Sequence, residues 1–110
     1  MGTLLLIVTR GRSRGAHVVL ADREVVIGRE GGCDLRIAEP RCSRRHARIY
    51  PSSTGFRIED LSSTNGTVLN GVPLGSGTPI GARDRVRIGD TELEVQAAED
   101  DIPDGAAAQA

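Results

Sequence analysis

Residues 85–96 read Arg85-Val86-Arg87-Ile88-Gly89-Asp90-Thr91-Glu92-Leu93-Glu94-Val95-Gln96. On both sides of Gly89-Asp90, apolar residues alternate with charged or polar ones: Val86 and Ile88 with Arg85 and Arg87, then Leu93 and Val95 with Glu92, Glu94 and Gln96. Successive side chains of a strand face opposite ways, so this period of two gives one buried and one wet face. Gly89-Asp90 supplies a tight turn between the two runs. The stretch therefore reads as a half-buried β-hairpin. The same alternation occurs upstream, where Phe56 and Ile58 alternate with Arg57 and Glu59, and Ala47 and Ile49 with Arg48 and Tyr50. Segments 3–10, 17–20 and 24–27 are apolar enough for strands, with less regular alternation. Asn70-Gly71, between 67–69 and 72–74, fits a second tight hairpin, because both residues tolerate positive φ. Residues 11–15, 30–34 and 52–55 read as longer loops, and no segment sustains a helical period. Many short strands at close spacing point to an all-β, antiparallel sandwich.

At 110 residues, with 38% hydrophobic residues and 14 glycines, the chain suits one soluble domain with a modest core and many turns. We place that domain at 1–96. Residues 97–110 mix Glu99, Asp100, Asp101 and Asp104 with Pro103, Gly105 and an Ala-rich end, which reads as an acidic disordered tail. The net charge of -1 selects neither nucleic acid nor membrane, and without those four acids the remainder carries +3. All 14 basic residues are arginine, a side chain suited to bidentate phosphate or carboxylate contact, although compositional bias explains most of that usage. Cys33 and Cys42 make no disulfide framework. The apolar run 4–8 is too short for a secretory leader, and a reducing cytoplasm is the expected location.

Four fragments carry chemistry: Gly28-Arg29; Ser43-Arg44-Arg45-His46; Asp60-Leu61-Ser62-Ser63-Thr64-Asn65-Gly66-Thr67; and Asn70-Gly71. In a sandwich, loops at one end converge though distant in sequence. Together these fragments offer a guanidinium, hydroxyls, an amide and backbone N–H groups, donors suited to a phosphate dianion. In this order and spacing they resemble the forkhead-associated (FHA) family, over roughly residues 4–95, and 81–89 looks like that family's penultimate segment. Any one fragment is weak; all of them in order are a specific signal.

The resemblance implies an eleven-stranded β-sandwich whose apical loops bind phosphothreonine peptides. It implies that Arg29 and Ser43 hold the phosphate, that Thr64 adds a second hydroxyl contact, and that Asn65 holds the peptide backbone. It makes Arg44 a further phosphate or peptide contact. Arg41 stands where the family often reads a peptide residue beyond the phosphothreonine. Gly28 and His46 become architectural, with His46 bracing the loops, and Asn70 and Gly71 become the closing turn. It further implies a small pocket for the phosphothreonine methyl group. The partner is then a Thr-phosphorylated protein, the substrate of a Ser/Thr kinase, with no cofactor, nucleic acid or membrane. The alternative is a phosphate-independent scaffold or assembly subunit using the same sandwich.

Plainer readings exist for each residue. Arg29 alone would be an ordinary exposed arginine, Ser43 a local cap, and Thr64-Asn65-Gly66 a turn. Asp60 reads as an orderer of its own loop. Pairing Ser43 with His46 and Asp60 makes no triad, because a triad is a matter of geometry and no nucleophile elbow is present. Cys33, Cys42, His17 and His46 match no zinc spacing. The arginines of 41–48 lack the stacking aromatics or groove-entering element of a nucleic-acid binder, since aromatics are 2% of the chain.

Overall fold

The computed structural model describes residues 3–97. They form eleven strands and no helix: β1 (Leu4–Arg10), β2 (His17–Leu20), β3 (Val25–Gly28), β4 (Leu35–Arg36), β5 (Ala47–Ser52), β6 (Gly55–Asp60), β7 (Val68–Leu69), β8 (Val72–Pro73), β9 (Thr78–Ile80), β10 (Arg85–Ile88) and β11 (Thr91–Ala97). One six-stranded sheet has the order β2-β1-β11-β10-β7-β8, and a five-stranded sheet has the order β4-β3-β5-β6-β9. The expected tail over 97–110 lies outside the described residues except for Ala97. That residue ends β11 and pairs with Leu4.

The alternation read from the sequence is the burial pattern observed. In β10 and β11, Val86, Ile88, Leu93 and Val95 are buried, while Arg85, Arg87, Glu92 and Glu94 face outward. They pack with Leu6 and Val8 of β1 against Val25, Ile27, Ile49, Phe56, Ile58 and Ile80 of the other sheet, in one core cluster. Asn70 and Gly71 both have positive φ, 51° and 84°, the type I′ pattern that matches strand twist. Gly89 alone of its pair has positive φ, 60°, the II′ pattern. A Cβ there would also come within 2.8 Å of the Glu39 carboxyl carbon.

Two strands have no counterpart in the sequence reading. β4 contributes only two residues and pairs in parallel with β3 (Ile27 with Leu35, Gly28 with Arg36), the exception to an otherwise antiparallel arrangement. Two residues are too few to show a period. β9 contains Pro79, which cannot donate to a ladder, and it survives as an edge strand paired only with β6.

The ladders define two poles. β3 ends at Gly28, β5 begins at Ala47, β6 ends at Asp60 and β10 ends at Ile88, all at one pole; Leu4, Leu20, the 52–55 turn and Ala97 lie at the other. Among the described residues, no helix is long and apolar enough to cross a membrane.

Ile49 has no exposed surface, and Val72 is 64% exposed. Ile49→Ala should therefore cost about 2–5 kcal/mol by urea denaturation. Val72→Ser should change stability by no more than about 0.5 kcal/mol.

Candidate functional site

Gly28 sits where two segments nearly touch. A Cβ on it would overlap the Arg44 carbonyl oxygen and approach Cys33 Sγ to 2.8 Å. The absence of a side chain lets the chain beyond β3 lie against residues 43–44. The Arg29 N–H donates to the Ser43 carbonyl (3.0 Å) and the Glu30 N–H to the Arg44 carbonyl (3.1 Å). Arg29 is thereby placed beside the loop that carries Ser43. Its Nε donates to the Cys42 carbonyl at 2.9 Å, which fixes the guanidinium plane. Among the described residues its two Nη groups meet no hydrogen-bond or ion-pair partner.

His46 ties this loop to the next. It is wholly buried. Its Nδ1 accepts the Ser43 N–H (2.9 Å), so Nδ1 carries no proton, and Nε2–H donates to the Gly66 carbonyl (2.8 Å). The tautomer follows from this network. Asp60 organises the second loop. Its Oδ1 accepts from Ser63 Oγ (2.6 Å) and Thr67 Oγ1 (2.6 Å), and its Oδ2 from the Ser63 N–H (2.9 Å). Ser63 Oγ in turn accepts the Gly66 N–H at 2.9 Å. The result is a compact turn in which Ser62 and Gly66 take positive φ, 56° and 81°.

These two loops bring the expected residues together. The Thr64 N–H donates to Ser43 Oγ at 3.1 Å, which leaves the Ser43 hydroxyl proton free to donate outward. The Thr64 hydroxyl is exposed and unpartnered among the described residues. Asn65 Nδ2 donates to the Arg41 carbonyl at 3.1 Å, tying the two loops again and leaving its Oδ1 open. Arg44 is exposed at the rim beside Ser43. Arg29, Ser43, Thr64 and Asn65 thus form a chain of contacts at one pole, with Arg41 and Arg44 on either side of Ser43. Asn70 and Gly71 do not join them. Asn70 bonds Asp84 Oδ1 (3.0 Å) and the Arg85 N–H (2.9 Å), away from the cluster.

The chemistry of the pole favours binding an anion over nucleophilic catalysis. Ser43 meets the His46 ring through its backbone N–H rather than its hydroxyl, so the two make no nucleophile–base pair. Burial pushes the Cys42 thiol up to about 11 and also raises Cys33, which keeps both sulfurs protonated at neutral pH. No group of three or more His, Cys, Asp and Glu residues able to hold a metal occurs among the described residues.

One organiser carries no sequence signal. Glu39 is buried, 7% exposed. It accepts the Arg41 N–H (3.1 Å), the Asp90 N–H (3.0 Å) and Thr91 Oγ1 (3.4 Å), joining the β10–β11 turn to the Ser43 loop. A lone acid between Ala38 and Pro40 has no local pattern that reveals the two distant partners, Asp90 and Thr91.

A family model for the FHA domain matches residues 25–89. The FHA domain-containing protein FhaB of Mycolicibacterium smegmatis (strain ATCC 700084 / mc(2)155) is 39% identical over 93 residues, 83% of this chain and 59% of that protein. This chain therefore spans about three fifths of that relative's length. A solved structure from a study of phosphothreonine-dependent FHA domain interactions superposes with a TM-score of 0.75 at 29% identity, covering 86% of this chain and 95% of that one. The FhaA FHA domain, solved in complex with the intracellular domain of Rv3910, gives 0.74 at 29% identity over 84% of this chain and 99% of that one.

Two measurements test the loop network. The Arg41 N–H bond chiefly lowers Glu39. At Asp60 burial opposes ionisation, but bonds from Ser63 and Thr67 outweigh it and the net shift is also downward. A carboxyl group made more acidic by folding adds stability above its unfolded pKa, and that stability is lost as pH falls through the folded value. With ordinary values of 4.5 for Glu39 and 3.8 for Asp60, the urea midpoint should hold above about pH 5 and fall at lower pH; Glu39→Gln and Asp60→Asn should each flatten that fall. His46→Phe leaves the Ser43 N–H and the Gly66 carbonyl unpaired, and should cost about 2–5 kcal/mol by denaturant titration.

Proposed function

The chain belongs to the forkhead-associated (FHA) family, and on that premise we propose that it is a phosphothreonine-reading interaction module and not an enzyme. The observation that carries the reading is Arg29, whose Nε is anchored on a backbone carbonyl while both Nη groups have no partner among the described residues. A guanidinium fixed in plane and paired with no carboxylate among the described residues is prepared for a dianion, which it can bind in bidentate fashion.

In this reading the phosphate docks on Arg29, the outward Ser43 hydroxyl proton and the Thr64 hydroxyl, with Arg44 as a further donor. Asn65 uses its open Oδ1 to hold the peptide backbone. The phosphothreonine methyl group lies in a small recess, and such a contact favours phosphothreonine over phosphoserine by about 1–3 kcal/mol. The partner is a Thr-phosphorylated protein, the product of a Ser/Thr kinase, and neither nucleic acid, membrane nor cofactor takes part. The setting is the cytoplasm, where ATP-dependent kinases act and thiols such as Cys33 and Cys42 stay reduced.

Arg29→Ala tests the assignment. Wild-type protein should bind a phosphothreonine peptide library by calorimetry and ignore its unphosphorylated counterpart. Arg29→Ala should weaken binding by about 2–5 kcal/mol with an unchanged circular dichroism spectrum. An unchanged affinity in the variant would overturn the role of Arg29.

A further inference from the structure

Beside the Arg29 cluster lies a cleft of about 620 Å³, lined by Gly11, Arg12, Glu39, Pro40, Arg41 and Asp90. Arg12 and Asp90 belong to none of the motif fragments. They come from the β1–β2 turn and the β10–β11 turn. Arg41 is held on both sides: its N–H donates to Glu39 Oε1, and its carbonyl accepts from Asn65 Nδ2. From this fixed position its Nη1 reaches Asp90 Oδ1 at 3.5 Å. The Asp90 N–H is held by the other oxygen of the same buried Glu39 carboxylate. Both partners of the ion pair are thus anchored through their backbones to one group, and the pair is more than a chance meeting of two long side chains. Arg41 and Asp90 are 60% and 81% exposed, open to anything laid across the cleft.

Arg29 and Arg41 therefore differ in kind. Arg29 rests on a carbonyl and keeps its charge for a ligand, whereas Arg41 is already paired with a carboxylate. An acidic peptide residue over the cleft must displace Asp90, and a basic one finds Asp90 as its own partner. Arg12 and Arg41 also face Glu39 and Asp90, which leaves the lining with no net charge.

We propose that Asp90 sets the sequence preference of this cleft, by masking Arg41 so that the peptide flanking the phosphothreonine is not selected for acidity. This rests on the phosphothreonine reading above and specifies which peptides the site accepts. Asp90 acts through Arg41 and does not itself hold the phosphate.

The test is a walk of a single Asp, or a single Lys, through the positions on both sides of the phosphothreonine in an alanine peptide. It is measured for wild type, Asp90→Asn, Arg41→Ala and the double variant, at low and high salt. Asparagine retains the backbone bond to Glu39. At the position that overlies the cleft, Asp90→Asn should raise the Asp-to-Lys affinity ratio by about threefold, within the range of an exposed ion pair. The rise should shrink at high salt and be absent when Arg41 is also replaced. An equal change at every position, no change, or persistence of the rise in the double variant each overturns the inference while leaving phosphothreonine binding standing. A wild-type protein that binds none of the phosphorylated peptides overturns both readings.

Discussion

The pole that gathers Arg29, Ser43, Thr64 and Asn65 depends on one imidazole. His46 accepts the Ser43 N–H on one side and donates to the Gly66 carbonyl on the other. Ser43 and Gly66 lie on loops joined to different strands, and neither loop has a regular ladder of its own to fix the distance between them. Lysine or arginine could not replace His46, because neither can accept a hydrogen bond. Asp60 then shapes the second loop, and the Thr64–Ser43 and Asn65–Arg41 bonds complete the seam. A seam already made within the free chain would spare any complex formed there the cost of ordering it, which is the physical content of preorganisation.

What Arg29 and Arg41 rest on separates two kinds of cation at the same pole. A carbonyl acceptor orients a guanidinium and leaves its charge uncompensated. A carboxylate acceptor orients it and cancels its field at short range. The pole therefore carries Arg29 and the exposed Arg44 with no carboxylate partner among the described residues, and Arg41 with its charge answered by Asp90.

Much of this was legible in the sequence where a local pattern reports a local fact. The alternation in β10 and β11, the I′ turn at Asn70-Gly71 and the strand character of residues 56–59 follow from side-chain period and backbone freedom. β4 and β9 were not legible, one because two residues show no period, the other because Pro79 argues against a strand that only an edge position permits. At the site, the residues of the Gly28–Arg29, Ser43–His46 and Thr64–Asn65 fragments meet as their order implied. Their roles came from resemblance, since nothing in a serine's neighbours says what its hydroxyl will face. Glu39 was not legible because two of its three partners, Asp90 and Thr91, lie about fifty residues away. Asn70 and Gly71 belong to the same ordered set of motif fragments and yet serve the Asp84–Arg85 segment instead, so membership in a motif does not fix position in space.

The long sheet is closed by its most distant parts: β1 lies between β2 and β11, with Leu4 opposite Ala97. That pairing has a consequence in time. A chain emerging from the ribosome can assemble the β5–β6 hairpin early, but β1 waits for β11, the final described strand, before one of its edges is covered. Contacts of such sequence separation place the sandwich among slow-folding topologies, because loop-closure entropy must be overcome before the ladder rewards it. Until then that edge of β1, with its unpaired N–H and C=O groups, stays accessible to other chains during synthesis, and the hazard of misassembly lasts until β11 is in place.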